Sequence, residues 1–275
     1  MDFLQAIILG IVEGLTEFLP VSSTGHLTIM EKILGLPIDS EDVTGFTVVI
    51  QMGAILAVIL FFWRDIWNIT GAWFRGITEP AVRGSLEYRM GWYVIVGTIP
   101  VVIAGLAGQN LITGPLRNLW WVAGALIGWS VVMVLAERVG RQTRHEAEVT
   151  MRDAIIIGVV QCVSLIPGVS RSGATISAGL FTGLDRVAAT RMSFFLSIPA
   201  LVGAGLKELP SALGGDISLT STLIATFVSF VVAYASVAWL LKFVSGHSIT
   251  WFVPYRVGLG VVLIVLLATN SISPT

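Results

Sequence analysis

Residues 11–27 read IVEGLTEFLPVSSTGHL, a stretch in which two carboxylates, a run of hydroxyls and an imidazole sit among apolar side chains. Glu13 and Glu17 are four apart, so on a helix they share one face, about a turn from each other. Two such carboxylates either share a proton or bind a hard divalent cation, Mg²⁺ or Ca²⁺, through oxygen. The bland alternative, acids snorkelling to an interface, sits poorly with their place inside an apolar helix. The turn that follows offers the hydroxyls of Ser22, Ser23 and Thr24, backbone amides around Gly25, and His26. Hydroxyls just before a helix cap it by default, and at least one of these three is expected to do so. A helix start with several donors is also a ready anion site. His26 can act as acid, base or nucleophile near neutral pH.

The same pattern returns later in the chain. Displaced by 148 positions, residues 6–25 fall without a gap on residues 154–173, AIIIGVVQCVSLIPGVSRSG. Ala6, Ile7, Ile8, Gly10, Val12, Val21, Ser22 and Gly25 meet identical residues, and Glu13 meets Gln161. Apolar composition alone would not align the glycine, hydroxyl and amide positions together, so the chain is read as a duplicated unit. The copies differ where chemistry is expected: Glu17 faces Leu165, His26 faces Ala174, and Ser23 faces Arg171, which Ser170 and Ser172 flank. A guanidinium at a helix start can clamp phosphate oxygens. It can equally serve as counter-ion to Glu13 or Glu17, and the two roles can alternate. Acid/base groups, metal ligands and an anion clamp are together the parts needed to hydrolyse a phosphoanhydride.

What positions them must be a membrane fold. Of 275 residues, 55% are hydrophobic and 12% charged, with a mean hydropathy of +0.87; soluble domains carry about 25% charged residues. Spans are expected at residues 44–63, 91–110, 118–137, 187–208, 217–242 and 251–270, each near the ~20 residues that cross the hydrocarbon. The fold expected is an all-α integral membrane protein of one domain, residues 1–275, with repeat one at about 1–137 and repeat two at about 150–275. Pro20 and Pro167 break the two matching segments, and freed backbone groups at membrane depth are tolerated only against protein or a water-filled cavity. Both are therefore read as re-entrant helical hairpins. Three spans separate them, so the second enters from the opposite face and the repeat is inverted, with its site where the breaks meet.

The positive-inside rule orients the chain. Joints 64–90, 138–153, 182–191 and 242–256 hold Arg64, Arg75, Arg83, Arg89, Arg138, Arg141, Arg144, Arg152, Arg186, Arg191, Lys242 and Arg256, whereas the other side keeps only Lys32, Arg117 and Lys207. The first hairpin and both termini then belong to the outer face, and the second hairpin enters from the cytoplasm. Arg141, Arg144 and His145 read as a solvated loop. The start lacks a basic n-region and is expected to be retained. Cys162, the one cysteine, is expected to pack as a small hydrophobe. Three GxxxG pairs, Gly10/Gly14, Gly124/Gly128 and Gly179/Gly183, read mostly as close helix packing.

GIVEGLTEFLPVSSTGHL and PGVSRSGATISAGL closely resemble the two signature motifs of undecaprenyl-diphosphate phosphatase, the bacterial bacitracin-resistance protein family, and the similarity covers essentially the whole chain. The resemblance implies an enzyme of the bacterial cytoplasmic membrane, multi-pass, that removes the terminal phosphate of undecaprenyl diphosphate. The product is the lipid carrier reused in peptidoglycan synthesis. It also implies a divalent cation and a site open to the periplasm. In family terms Glu13 and Glu17 match the E-x-x-x-E motif, Ser22, Ser23 and Thr24 the serine turn, His26 its histidine, and Arg171 the second motif's arginine beside Ser170 and Ser172. Expected roles are Glu13, Glu17, Ser23, His26 and Arg171 as catalytic, Ser22, Thr24, Gly25, Ser170, Arg171 and Ser172 as substrate-binding, and Glu13 and Glu17 as metal ligands. Ser23 attacks with His26 as base, or His26 attacks itself. The expected partners are the lipid substrate, membrane lipids and, as an open option, a second copy of the chain, with no nucleic acid. A transporter or flippase of a phosphorylated lipid or small anion is the competing class, because inverted repeats with broken helices characterise transporters.

Overall fold

A computed structural model describes residues 2–37, 40–213 and 217–274. Among these the chain is helical, and the one strand-like pairing is an isolated bridge between Arg144 and Leu184. In chain order the helices are α1 (Phe3–Thr16), α2 (Ser23–Ile33), α3 (Glu41–Phe61), α4 (Trp63–Thr78), α5 (Leu86–Ala107), α6 (Gln109–Thr113), α7 (Leu119–Val139), α8 (Met151–Gln161), α9 (Arg171–Phe181), α10 (Arg186–Leu213), α11 (Leu219–Val244) and α12 (Val253–Ala268). Among the described residues six segments are long and apolar enough to cross a membrane: Asp42–Phe61, Leu86–Ala107, Leu119–Val139, Arg186–Lys207, Leu219–Val244 and Ile249–Ala268. They coincide with the six expected spans to within a few residues. The chain ends themselves, Met1 and Thr275, lie outside the described residues.

The two matching segments fold alike. Asp2 with Gln5 and Thr150 with Asp153 form capping boxes that start α1 and α8 at equivalent positions. Each helix then stops at a break and a second short helix packs back against it. Ser22 and Ser170, the residues before α2 and α9, both take left-handed backbone with φ of 78° and 76°. That conformation is uncommon for a side-chain-bearing residue and shows how sharply both breaks redirect the chain.

Packing repeats the correspondence. A Cβ on Gly10 would run into the Ala225 carbonyl of α11, and one on the equivalent Gly158 would run into the Gly97 carbonyl of α5. Glycine at that register lets the first helix of each unit press against a span, backbone to backbone. Gly14 does the same against Ser229. Gly124 and Gly128, in contrast, meet nothing within 4 Å, so that pair does not mark helix packing.

The joints gather into two sets. Arg191 bonds Asp65 and Glu146, Arg144 bonds the Thr182 carbonyl, and Glu137 takes both Arg186 and the Ile249 amide, which ties the arginine-rich joints together. On the other set, Lys32 reaches Ser273, Lys207 reaches Gln109, and the Leu119 amide bonds the Pro274 carbonyl.

Two expectations for these joints are corrected, those for Arg144 and Arg256. Arg144 is not a solvated side chain: it makes a paired contact to Asp153 at 3.0 and 2.7 Å and also holds the carbonyls of Glu148 and Thr182, whereas Arg141 is exposed as expected. His145, exposed, pairs with Asp185. The joint at 64–90 contains the helix α4, with Trp63, Trp67, Phe74 and Ile77 exposed and Ala72 and Gly76 buried, the amphipathic pattern of a helix lying along an interface. Arg256 is not in a joint at all. It is fully buried, because a 3-10 turn at Ile249–Phe252 starts the last helical segment earlier than charge alone implies.

Candidate active site

The two breaks meet, and the meeting is made of named hydrogen bonds. Ser22 Oγ accepts the Gly168 amide at 3.1 Å, linking residues 146 positions apart. The Arg256 guanidinium fills the crossing: it donates to the Pro20 carbonyl at 3.0 Å from one break and to those of Gly168 and Val169 at 3.0 and 3.1 Å from the other. Its Nε reaches Ser130 of α7 at 3.1 Å. A buried cation with no carboxylate beside it is tolerable here because interrupted helices leave carbonyls unbonded, and these supply acceptors.

On this junction sits the polar cluster. Glu17, 4% exposed, accepts from Ser23 Oγ at 2.5 Å on one carboxylate oxygen and from Arg171 at 2.6 Å on the other. One carboxylate thus joins a hydroxyl from the first unit to a guanidinium from the second. Glu13 is fully buried a turn earlier, and neither of its oxygens has a hydrogen-bond partner among the described residues. Its charged neighbours are Glu17, Arg171 and Glu31.

His26 is oriented from both sides. Nδ1 lies 2.7 Å from the Ser22 carbonyl, and Nε2 lies 2.6 Å from the Tyr255 hydroxyl of α12. A carbonyl can only accept, so Nδ1 carries a proton. Neither nitrogen faces Ser23, whose proton goes to Glu17.

The hydroxyls are spent unequally. Ser22 stands at the start of α2 but makes no side-chain cap, and no other hydroxyl of the turn does; the expectation that one of Ser22, Ser23 and Thr24 caps this helix is corrected. Ser22 is diverted to Gly168 across the junction. Ser170, its counterpart, does cap, accepting the Gly173 amide at 3.2 Å. Ser170 and Ser172 are buried and bonded to each other at 3.2 Å. At α2, by contrast, no acceptor among the described residues bonds the amides of Ser23, Thr24 and Gly25, and Thr24 is exposed beside them. A helix start with free amides, a serine and a guanidinium within reach is suited to an anion.

Among the described residues no three His, Cys, Asp or Glu side chains converge as a metal cage. The donor set still suits a hard divalent cation. Glu13 is a fully buried carboxyl group beside a second one, and Mg²⁺ in particular is commonly held by one or two carboxylates with substrate phosphates completing the shell.

Four further buried or half-buried groups were given no site role by the sequence reading. Glu31 is 6% exposed and accepts the Thr47 hydroxyl at 2.9 Å. Gln161, aligned with Glu13, is fully buried with both amide atoms unpartnered. Tyr255 and Arg256 sit near a span start, where tyrosine ordinarily reads as belt and arginine as joint. The signal that could have found Arg256 is the pair of proline breaks, whose carbonyls need donors.

Comparison with known proteins agrees over the whole length. A family profile described as bacitracin resistance protein BacA matches residues 6–262. The chain is 53% identical over 278 residues to undecaprenyl-diphosphatase 3 of Frankia casuarinae, covering 100% of both. It is 54% identical over 267 residues to undecaprenyl-diphosphatase 1 of Streptomyces coelicolor, covering 97% of this chain and 96% of that protein. With undecaprenyl-diphosphatase of Corynebacterium glutamicum it shares 49% identity over 278 residues, covering 100% of this chain and 94% of that one.

Proposed function

The chain belongs to the bacitracin resistance protein BacA family, and from that membership we propose that it is a multi-pass membrane phosphatase converting undecaprenyl diphosphate to undecaprenyl phosphate and inorganic phosphate. The observation that carries the chemistry is Glu17 held between Ser23 and Arg171.

The diphosphate docks with its terminal phosphoryl group at the free amides of α2 and takes Arg171 as its clamp. A phosphate dianion competes with Glu17 for the guanidinium. Once Arg171 turns to it, Glu17 is left bonded to Ser23, placed to take that hydroxyl's proton. Ser23 Oγ then attacks the terminal phosphorus, its proton passes to Glu17, and the bond from that phosphorus to the bridging oxygen breaks. Undecaprenyl phosphate leaves, and water hydrolyses the phosphoserine to release phosphate. Glu13, with Glu17, would hold a divalent cation, which when bound neutralises diphosphate charge and polarises the reacting P–O bonds. Of the two nucleophiles open to the sequence, Ser23 is favoured because its proton already has an acceptor in Glu17.

We further infer that the two broken units are re-entrant and the repeat inverted. Supporting this, α1 has 14 residues and α8 has 11, about 21 and 17 Å of helix, short of the ~30 Å hydrocarbon core. The arginine-rich joints bond among themselves, and the arginine-poor side does likewise. By the positive-inside rule that orientation puts the arginine set in the cytoplasm and opens the site to the periplasmic side of the inner membrane.

Purified protein in detergent, given a polyprenyl diphosphate with and without Mg²⁺ or Ca²⁺, should release inorganic phosphate. Rapid quench should trap an acid-stable phosphoryl group on Ser23. An acid-labile group on His26 would transfer the nucleophile's role to the imidazole, and no release under any condition would favour a carrier of phosphorylated lipid.

A further inference from the structure

We propose that Tyr255 is a substrate-binding residue of this site, a donor that exchanges the His26 imidazole for an oxygen of the incoming diphosphate. The inference rests on the phosphatase reading. Tyr255 lies on α12, outside both sequence motifs, and its ring stacks on His26 with centroids 5.5 Å apart and planes at 14°.

The direction of the bond between them follows from the far side of the imidazole. Nδ1 donates to the Ser22 carbonyl, and among the described residues no carboxylate bonds the ring to hold a second proton. A neutral ring protonated at Nδ1 offers only a lone pair at Nε2, so the tyrosine donates. Its hydroxyl covers the one imidazole atom able to accept a proton or attack phosphorus.

The cover is placed to move. Tyr255 is 53% exposed, and the exposed Thr24 stands on the same turn as the free amides of α2. Hydrogen bonds to a charged oxygen are roughly twice as strong as those between neutral groups. A diphosphate arriving at α2 therefore draws the hydroxyl off Nε2, just as it draws Arg171 off Glu17. Each potential base in the site is masked by a donor that a phosphate can take over.

Tyr255→Phe keeps the ring and the stacking and removes only the hydroxyl. Carbethoxylation of His26 by diethyl pyrocarbonate, followed by peptide mass spectrometry with His145 and His247 as references in the same chain, should be at least about threefold faster in the variant, because a bond of this kind is worth more than that factor. The KM for a polyprenyl diphosphate should rise about tenfold while kcat falls by less than about threefold, the split expected when a binding contact is lost. Equal labelling rates would overturn the assignment, since the hydroxyl would not then cover Nε2. Faster labelling with unchanged KM would overturn the substrate role. Wild-type protein that releases no phosphate would count against the phosphatase reading instead, and the labelling comparison separates that failure from the first.

Discussion

Ser22 and Ser170 occupy equivalent positions with nearly equal left-handed backbone, yet one bonds across the junction to Gly168 and the other caps its own helix. Local geometry was duplicated while the duty of the hydroxyl diverged. Ser22→Ala strands a buried amide of the opposite unit, at a cost of about 1–3 kcal/mol. Ser170→Ala loses a cap, about 1 kcal/mol. Thermal unfolding in detergent should show the larger drop in midpoint for Ser22→Ala.

Glu17 is the carboxylate on which both units converge. Glu17→Gln keeps the shape and removes the base, so phosphate release should fall by at least about a hundredfold. Arg171→Lys keeps a charge but loses the planar fork. It should retain more activity than Arg171→Ala and far less than wild type. Equal rates for the lysine and alanine variants would argue that the fork, rather than the charge, carries the clamp.

Glu13 answers to the cation. Chelation should abolish phosphate release, and Mg²⁺ or Ca²⁺ should restore it. In Glu13→Gln the cation concentration giving half-maximal rate should rise by at least about tenfold, since carboxylate number tunes affinity for hard ions. Unchanged cation dependence would remove Glu13 from that role.

Asp153, outside the spans, makes a pH prediction. Burial alone would raise its carboxyl, but hydrogen bonds from Arg144 and Thr150 outweigh that and hold it below the ordinary carboxylate range. A depressed carboxylate contributes stability that is present above its unfolded value and lost as pH falls through the folded one. Wild-type unfolding midpoints should therefore fall more steeply than those of Asp153→Asn on going from about pH 5 to about pH 3.

The spans were legible because an apolar run near twenty residues has few alternatives to crossing a membrane. The meeting of Glu17, Ser23 and Arg171 was legible because the internal repeat showed where two otherwise matched segments part company. Whatever depended on distant partners was not. Arg144 finds Asp153 and Thr182 only after the chain turns twice, so a charged joint read as solvated. The α4 helix has a mixed face that a search for long apolar runs passes over. Arg256 was counted with the joints because its partners are backbone carbonyls, which leave no mark in side-chain composition. Ser22 read as a cap because its actual partner lies in the other unit.

The carbonyl cage around Arg256 bears on how the protein can move. A carrier that exposes its centre to each compartment in turn needs its two halves to rock apart, and here that separation would break the guanidinium's bonds to Pro20 on one side or to Gly168 and Val169 on the other, at a cost that a buried cation makes high. The halves behave as a keyed joint. Side-chain exchanges at the mouth, by contrast, leave this cage untouched.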